Sequence, residues 1–264
     1  MNNCQKIMVT SCKGGVGKST VSANLGIRLA YDGFKTLIID CDFGVRSLDL
    51  IMGLEDRVVF DIVDVIMRDI PIESAAVRDP RSDNLFFVAA PYNYNDELTC
   101  EVFSAAIDKI AESMELDYII IDTPGDTGIP FRLAASASDM ALIVSTYQPI
   151  SIRAAERTAI LLSELGVDSR RLIINCFDPD SKGIDALPGL TEIIDKTSIR
   201  LLGIIPYDEQ LAAKQADGLD VFTIKKSDAA QSFVNIVGRL NGKNIPVFTG
   251  FRNLNRIKTL KKIQ

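Results

Sequence analysis

Short apolar runs, several closed by an acidic residue, recur along the whole chain. Residues 7–10, 35–40, 84–90, 117–122, 139–146, 171–177 and 201–206 each read as a buried strand. Between them the apolar spacing lengthens to that of a helix. Val21, Leu25, Leu29 and Ala30 share one side of a helix after the first strand. Residues 61–67 predict a short helix with Asp61 as cap and Ile62, Val65 and Ile66 inward. Over 99–114 the inward stripe is Val102, Ala106, Ile110 and Met114; over 227–240, capped by Ser227, it is Phe233, Ile236, Val237 and Leu240. Apolar strands alternating with helices predict an α/β fold, a single doubly wound, mostly parallel sheet with helices on both faces. No repeat, low-complexity linker or boundary interrupts the pattern before residue 241. One domain is expected over residues 1–241, with 242–264 as linker and tail.

Composition adds exclusions. At 264 residues, with 47% apolar and 24% charged, the chain has ample material for a core. No apolar run approaches the ~18 residues of a membrane span. The first strand begins so early that no signal peptide is expected. Histidine is absent, which excludes histidine catalysis and histidine metal ligands. The five cysteines (Cys4, Cys12, Cys41, Cys100 and Cys176) are odd in number and none has C-x-x-C spacing. That usage fits reduced thiols in the cytoplasm and argues against an iron–sulfur cluster. The net charge of −6 is uneven, because residues 251–264 carry Arg252, Arg256, Lys258, Lys261 and Lys262 and no acid. An acidic body with a basic tail suggests attraction of the tail to a polyanion and disfavours a general DNA-coating surface.

The chemistry centres on Ser11-Cys12-Lys13-Gly14-Gly15-Val16-Gly17-Lys18-Ser19-Thr20. A glycine-rich turn between a strand and a helix, ending in Gly-Lys-Ser, is the context of a phosphate-binding loop and thus of a P-loop NTPase fold. Its backbone N–H groups and the helix N-terminus would cradle phosphates, with Gly14, Gly15, Val16, Gly17 and Thr20 in the wall. Lys18 would reach the β- and γ-phosphates, and the Ser19 hydroxyl would ligate Mg²⁺. Two further strands end in acids. Asp40 and Asp42 close the second and look like a first switch, with Asp40 near the Mg²⁺ shell and Asp42 orienting the attacking water. An ordinary Asp has a pKa of about 3.9 and is a weak base at neutral pH, so Asp42 would act by positioning. Asp122 closes the strand at 117–122, where open α/β sheets bind ligands, and would hold Mg²⁺ directly or through water. Pro124-Gly125 would form a second switch.

The second lysine at the loop start, Lys13, makes the sequence resemble the deviant Walker A ATPases, whose loop reads K-G-G-x-G-K-[ST]. That group takes in ParA partition proteins, MinD division-site proteins, flagellar-number regulators and the nitrogenase iron protein. The run from Asp42 to Gly53, followed by Arg57-Val58-Val59-Phe60-Asp61, resembles the MinD branch more than the ParA branch. The resemblance covers roughly residues 6–240. It implies a slow Mg·ATP hydrolase, stimulated by a protein partner, in which Lys13 reaches the nucleotide of a second subunit in an ATP-dependent homodimer. It makes Asn175 the adenine-recognising position, against the alternative of a buried or turn-forming Asn, and brings Pro206 and Asp208 near the base. Lys13, Lys18 and Asp42 are then the catalytic candidates.

Two departures leave the partner open. The chain has Pro124 where MinD relatives usually have Ala, and Thr146-Tyr147-Gln148 and Ala154 replace the usual N-P-E and S-x-R-D residues of a helix used for dimer and partner contacts.

In the tail, Phe251, Leu254, Ile257, Leu260 and Ile263 alternate with bases, a composition suited to anionic lipid. Three-residue spacing loses ~60° per step, so the stripe winds around the helix; a docked or frayed basic terminus is the alternative. The resemblance favours a membrane-targeting helix. It implies a protein of the bacterial cytoplasm, reversibly peripheral on the inner face of the membrane, that acts in division-site placement. A DNA-partition ATPase, a flagellar-number regulator and a nucleotide switch with little turnover remain as rivals.

Overall fold

The computed structural model describes residues 4–93, 98–178, 190–247 and 249–250. Among them, eight strands form one sheet: β1 (Gln5–Thr10), β2 (Thr36–Asp40), β3 (Val77–Arg78), β4 (Leu85–Val88), β5 (Tyr118–Asp122), β6 (Met140–Thr146), β7 (Arg170–Phe177) and β8 (Arg200–Pro206). The order is β3-β4-β2-β5-β1-β6-β7-β8, and only the pairing of β3 with β4 is antiparallel. The two-residue β3 is too short to show a period, so the sequence pattern does not predict it.

The connecting helices are α1 (Lys18–Tyr31), α2 (Leu48–Met52), α3 (Ile62–Met67), α4 (Ile72–Ala75), α5 (Cys100–Ser113), α6 (Ile129–Ser136), α7 (Pro149–Glu164), α8 (Leu190–Thr197), α9 (Glu209–Ala216) and α10 (Asp228–Leu240). Alternate residues of each central strand serve opposite faces. Met8, Leu37, Ile39, Ile119 and Ile121 meet residues of α3, α5, α6, α7 and α8. Ile7, Val9, Ile38 and Ile120 meet α1, α2 and α10. Burial on both sides is why these strands are apolar without interruption.

One stripe differs from expectation. Ile110 and Met114 are buried as expected, but towards the start of α5 Phe103 and Ile107 are buried in place of Val102, which is exposed. The two rows are adjacent on the helix, and turning Phe103 and Ile107 inward removes more apolar surface from water. The caps follow the sequence reading. Asp61 accepts from the N–H groups of Val63 and Asp64, and the Ser227 hydroxyl accepts from Ala230 N.

After α10 the chain turns back along the same helix. Arg239 donates from Nε to Ile245 O at 2.7 Å and from Nη2 to Pro246 O and Val247 O at 3.2 and 3.3 Å. Its Nη1 donates to Leu202 O of β8. Asn235 Nδ2 then donates to Thr249 O at 2.8 Å, one turn nearer the start of α10. This strap runs alongside α10 towards its N-terminus, the end beside the C-terminal edge of the sheet. Phe251, Leu254, Ile257, Leu260 and Ile263 lie outside the described residues.

Candidate nucleotide site

The loop between β1 and α1 is shaped by its glycines. Gly15 and Gly17 have φ of 74° and 88°, a left-handed conformation that side chains disfavour. A Cβ on Gly17 would also lie 2.3 Å from Asn175 Nδ2. Gly17 caps α1 without any side-chain bond to the first turn, and that turn carries no acid. The helix therefore presents open N–H groups and the positive end of its dipole, the requirements for holding phosphate. Lys18, Ser19 and Thr20 form that turn, and Lys18 is buried.

Two carboxylates meet below the loop. Because β2 pairs with β5, Asp40 and Asp122 stand in register, and both are fully buried. Asp40 Oδ1 accepts from Asp42 N at 2.8 Å and Oδ2 from Leu48 N at 3.2 Å, so both its oxygens brace the turn after β2. Burial, with the Asp122 charge added, pushes its carboxyl well above the ordinary value. Asp122 Oδ1 accepts from Ser22 Oγ at 2.6 Å, whereas Oδ2 is buried with no hydrogen-bond partner. Burial raises Asp122 to about 6; the nearby Ser19 and Ser22 hydroxyls and the Lys18 charge limit the rise. A buried carboxylate oxygen without a donor, with the Ser19 hydroxyl close by, matches the oxygen donors that Mg²⁺ takes. Asp42 is partly exposed, and burial raises it more than the Lys18 charge lowers it.

On the other side of the loop stands α7. Lys13 Nζ donates to Ser151 Oγ at 2.8 Å, and Thr146 Oγ1 donates to the same oxygen at 2.8 Å. Cys12 N donates to Thr158 Oγ1 at 3.0 Å. The segment after β5 closes against the loop: a Cβ on Gly125 would sit 3.1 Å from Gly14 Cα and 3.2 Å from Gly14 N. Between this segment and α7 opens a cavity of about 790 Å³ whose lining includes Cys12, Asp126, Arg153 and Arg157. Ile150 and Ile160 of α7 are exposed on 68% and 56% of their surface.

The residues expected around the base lie at the ends of β7 and β8. Asn175 is buried and its Nδ2 donates to Val16 O at 2.9 Å, so the side chain is bonded to the phosphate loop itself. Pro206 ends β8. Asp208 caps α9 through Gln210 N and accepts from the Ser227 hydroxyl at 2.7 Å. All the expected site residues within the described part thus gather at the C-terminal edge of the sheet, where β1 lies between β5 and β6 and strand order reverses.

Sequence reading missed Ser22, Ser151 and Thr158. Ser22 and Thr158 are fully buried polar residues in otherwise apolar helix faces, and that mismatch was the available signal. Ser151 gave none, because it stands in the first turn of α7, where a serine is ordinary.

The family description ParA: NUBPL iron-transfer P-loop NTPase matches residues 2–241. The septum site-determining protein MinD of Synechocystis is 36% identical over 258 residues, covering 96% of each chain. MinD of Bacillus subtilis is 33% identical, covering 92% of this chain and 91% of the relative. The fold superposes on a chain of the MinC:MinD cell division complex of Aquifex aeolicus with a TM-score of 0.85 at 35% identity, covering 92% of this chain and 98% of that one. With the phosphate loop, paired acids and eight-stranded sheet in place, the chain belongs to the ParA family of P-loop NTPases and, within it, to the MinD proteins.

Proposed function

We propose that this protein is a Mg²⁺-dependent ATPase of bacterial division-site placement, working as an ATP-driven dimerisation and membrane switch. The observation that carries the chemistry is the convergence of an open helix N-terminus, buried Lys18 and the unpartnered Asp122 Oδ2. The loop N–H groups and Lys18 hold the phosphates. Ser19 and Asp122 hold Mg²⁺, which neutralises phosphate charge; Asp40 keeps the turn bearing Asp42 in place. Asp42 orients water towards the γ-phosphate, where positioning matters more than proton abstraction. Asn175, Pro206 and Asp208 flank the adenine end.

Lys13 leaves its own Ser151 to reach the nucleotide of a second copy, so ATP joins two chains. The exposed face of α7, with Ile150, Arg153, Arg157 and Ile160, meets the second copy and a regulatory protein partner that stimulates slow turnover. The Aquifex aeolicus relative forms a cell division complex with MinC, which supports a protein partner here. The strap delivers residue 250 beside Gln231, near the start of α10, so the basic tail starts towards the edge of the sheet that holds nucleotide. Two tails in one dimer bind anionic lipid together by effective concentration, where one tail binds weakly and reversibly. No described helix is long and apolar enough to cross a membrane.

The test is co-sedimentation with anionic liposomes in ATP and in ADP, for the full chain and for a chain ending at Gly250. ATP-dependent pelleting that disappears on truncation is expected. Retention on DNA in ATP, falling steeply with salt and without lipid binding, would replace this reading with that of a partition ATPase.

A further inference from the structure

Two side-chain amides, Gln215 of α9 and Asn24 of α1, tie the first turns of α1 to α9 and to the segment that follows it. Thr20 Oγ1 donates to Gln215 Oε1 at 3.1 Å. Asn24 Nδ2 donates to Thr20 O at 2.8 Å, and Asn24 Oδ1 accepts from Val221 N at 3.0 Å. Asn24 is thereby satisfied at both ends. Gln215 is not: its Nε2 is buried and has no hydrogen-bond partner. A buried amide donor left without an acceptor loses its hydration with no return, and native proteins keep few of them. A fold that holds the carboxamide by its oxygen and leaves its donor end unpaired is set up for an acceptor that arrives from outside.

The place says which acceptor. Lys18 and Ser19, just before Thr20 in the same turn of helix, serve the outer phosphates and the cation. The base end lies by Asn175, Pro206 and Asp208, and α9 starts directly after Asp208. Thr20 follows Lys18 and Ser19 in the turn that faces the phosphates, so the Gln215 carboxamide bonded to it lies beside that turn, seven residues along the chain from Asp208. A nucleotide stretched from the loop to the end of β8 brings its α-phosphate past that carboxamide. We propose that Gln215 is a nucleotide-positioning residue, with Nε2 donating to a non-bridging oxygen of the α-phosphate while Oε1 holds the Thr20 hydroxyl. This rests on the nucleotide site proposed above and adds a residue 195 positions from the loop it serves. Because ATP and ADP share the α-phosphate, the contact sets affinity for both and does not report hydrolysis.

The experiment measures binding of ADP and of the two diastereomers of ADPαS to the full chain, to Gln215→Leu and to Gln215→Glu, with thermal unfolding in the absence of nucleotide to check folding. Leucine removes both polar atoms at similar volume; glutamate keeps an acceptor for Thr20 and replaces the donor by a charge that repels phosphate. The expected result is about tenfold weaker ADP binding for leucine, as for loss of a hydrogen bond to a charged group, and a larger loss for glutamate at low salt. In the parent, one diastereomer binds more weakly, because sulfur is the poorer acceptor, and that discrimination shrinks in both variants. Equal ADP affinity in the parent and the leucine variant overturns the proposal. So does weaker binding with diastereomer discrimination unchanged. Failure of the parent itself to bind ADP overturns the nucleotide reading beneath it.

Discussion

Lys13 Nζ donates to Ser151 Oγ at 2.8 Å, so the first lysine of the phosphate loop is held by α7 of its own chain. The same Ser151 oxygen accepts from Thr146, which fixes the acceptor before the lysine arrives. If Lys13 serves a second copy, this bond must break first, and it opposes association. Ser151→Ala is then expected to tighten the ATP-bound dimer about tenfold, from the loss of one charge-assisted hydrogen bond in the monomer. Lys13→Ala is expected to abolish both dimerisation and hydrolysis. Light scattering in ATP measures the first, phosphate release the second. A Lys13→Ala protein that dimerises and turns over normally removes the lysine from the mechanism.

The buried pair Asp40 and Asp122 predicts a pH dependence of stability. Burial lifts Asp122 from 3.8 to about 6 in the folded chain. Between those values the folded chain keeps a proton that the unfolded chain has lost. The stabilisation is thus complete below the unfolded value and disappears as pH rises through about 6. At pH 7, without ligand, the charged carboxylate costs stability. Asp122→Asn is expected to raise the unfolding midpoint of the nucleotide-free protein at pH 7 by on the order of 5 °C. The same variant should lose the stabilisation that Mg²⁺ adds to bound nucleotide. Calorimetry at pH 5 and pH 7 checks both, since the gain should shrink at the lower pH.

A side chain on Gly125 would press on Gly14, its Cβ 3.1 Å from Gly14 Cα. Gly125→Ala should move the phosphate loop or the segment after β5, at an overpacking cost of about 1–3 kcal/mol. Titration with ADP is expected to show roughly tenfold weaker binding, equivalent to about 1.4 kcal/mol, in a protein that still unfolds cooperatively. Unchanged affinity would mean that the segment yields freely and does not brace the loop.

Arg239 is a half-buried cation whose described hydrogen bonds all run to main-chain carbonyls. Burial alone lowers its pKa. Arg239→Ala removes the anchor of residues 245–247 and is expected to destabilise the fold by about 2 kcal/mol. Amide exchange should rise in residues 243–250 more than in α10. If the two segments change equally, the strap is not an independent element.

The phosphate loop, the acids that end strands and the sheet they belong to could be read from the chain because each is local. Buried strands of a parallel sheet are continuous apolar runs, and Gly15, Gly17, Lys18 and Ser19 act within one turn of backbone. The helix caps at Asp61 and Ser227 were equally legible, since a cap and its acceptor turn are neighbours in sequence. The start of the α5 stripe was not, because Val102 and Phe103 offer adjacent apolar rows and only packing chooses between them. What tertiary structure alone decided are the long-range pairings: Lys13 with Ser151, Asp122 with Ser22, Thr20 with Gln215 and Asn175 with the Val16 carbonyl. Each joins polar groups of ordinary residues that carry no periodic signal. They meet only because the order of strands in the sheet brings the ends of β1, β5, β6, β7 and β8 to one edge, and burial there makes each polar atom find a partner or wait for one.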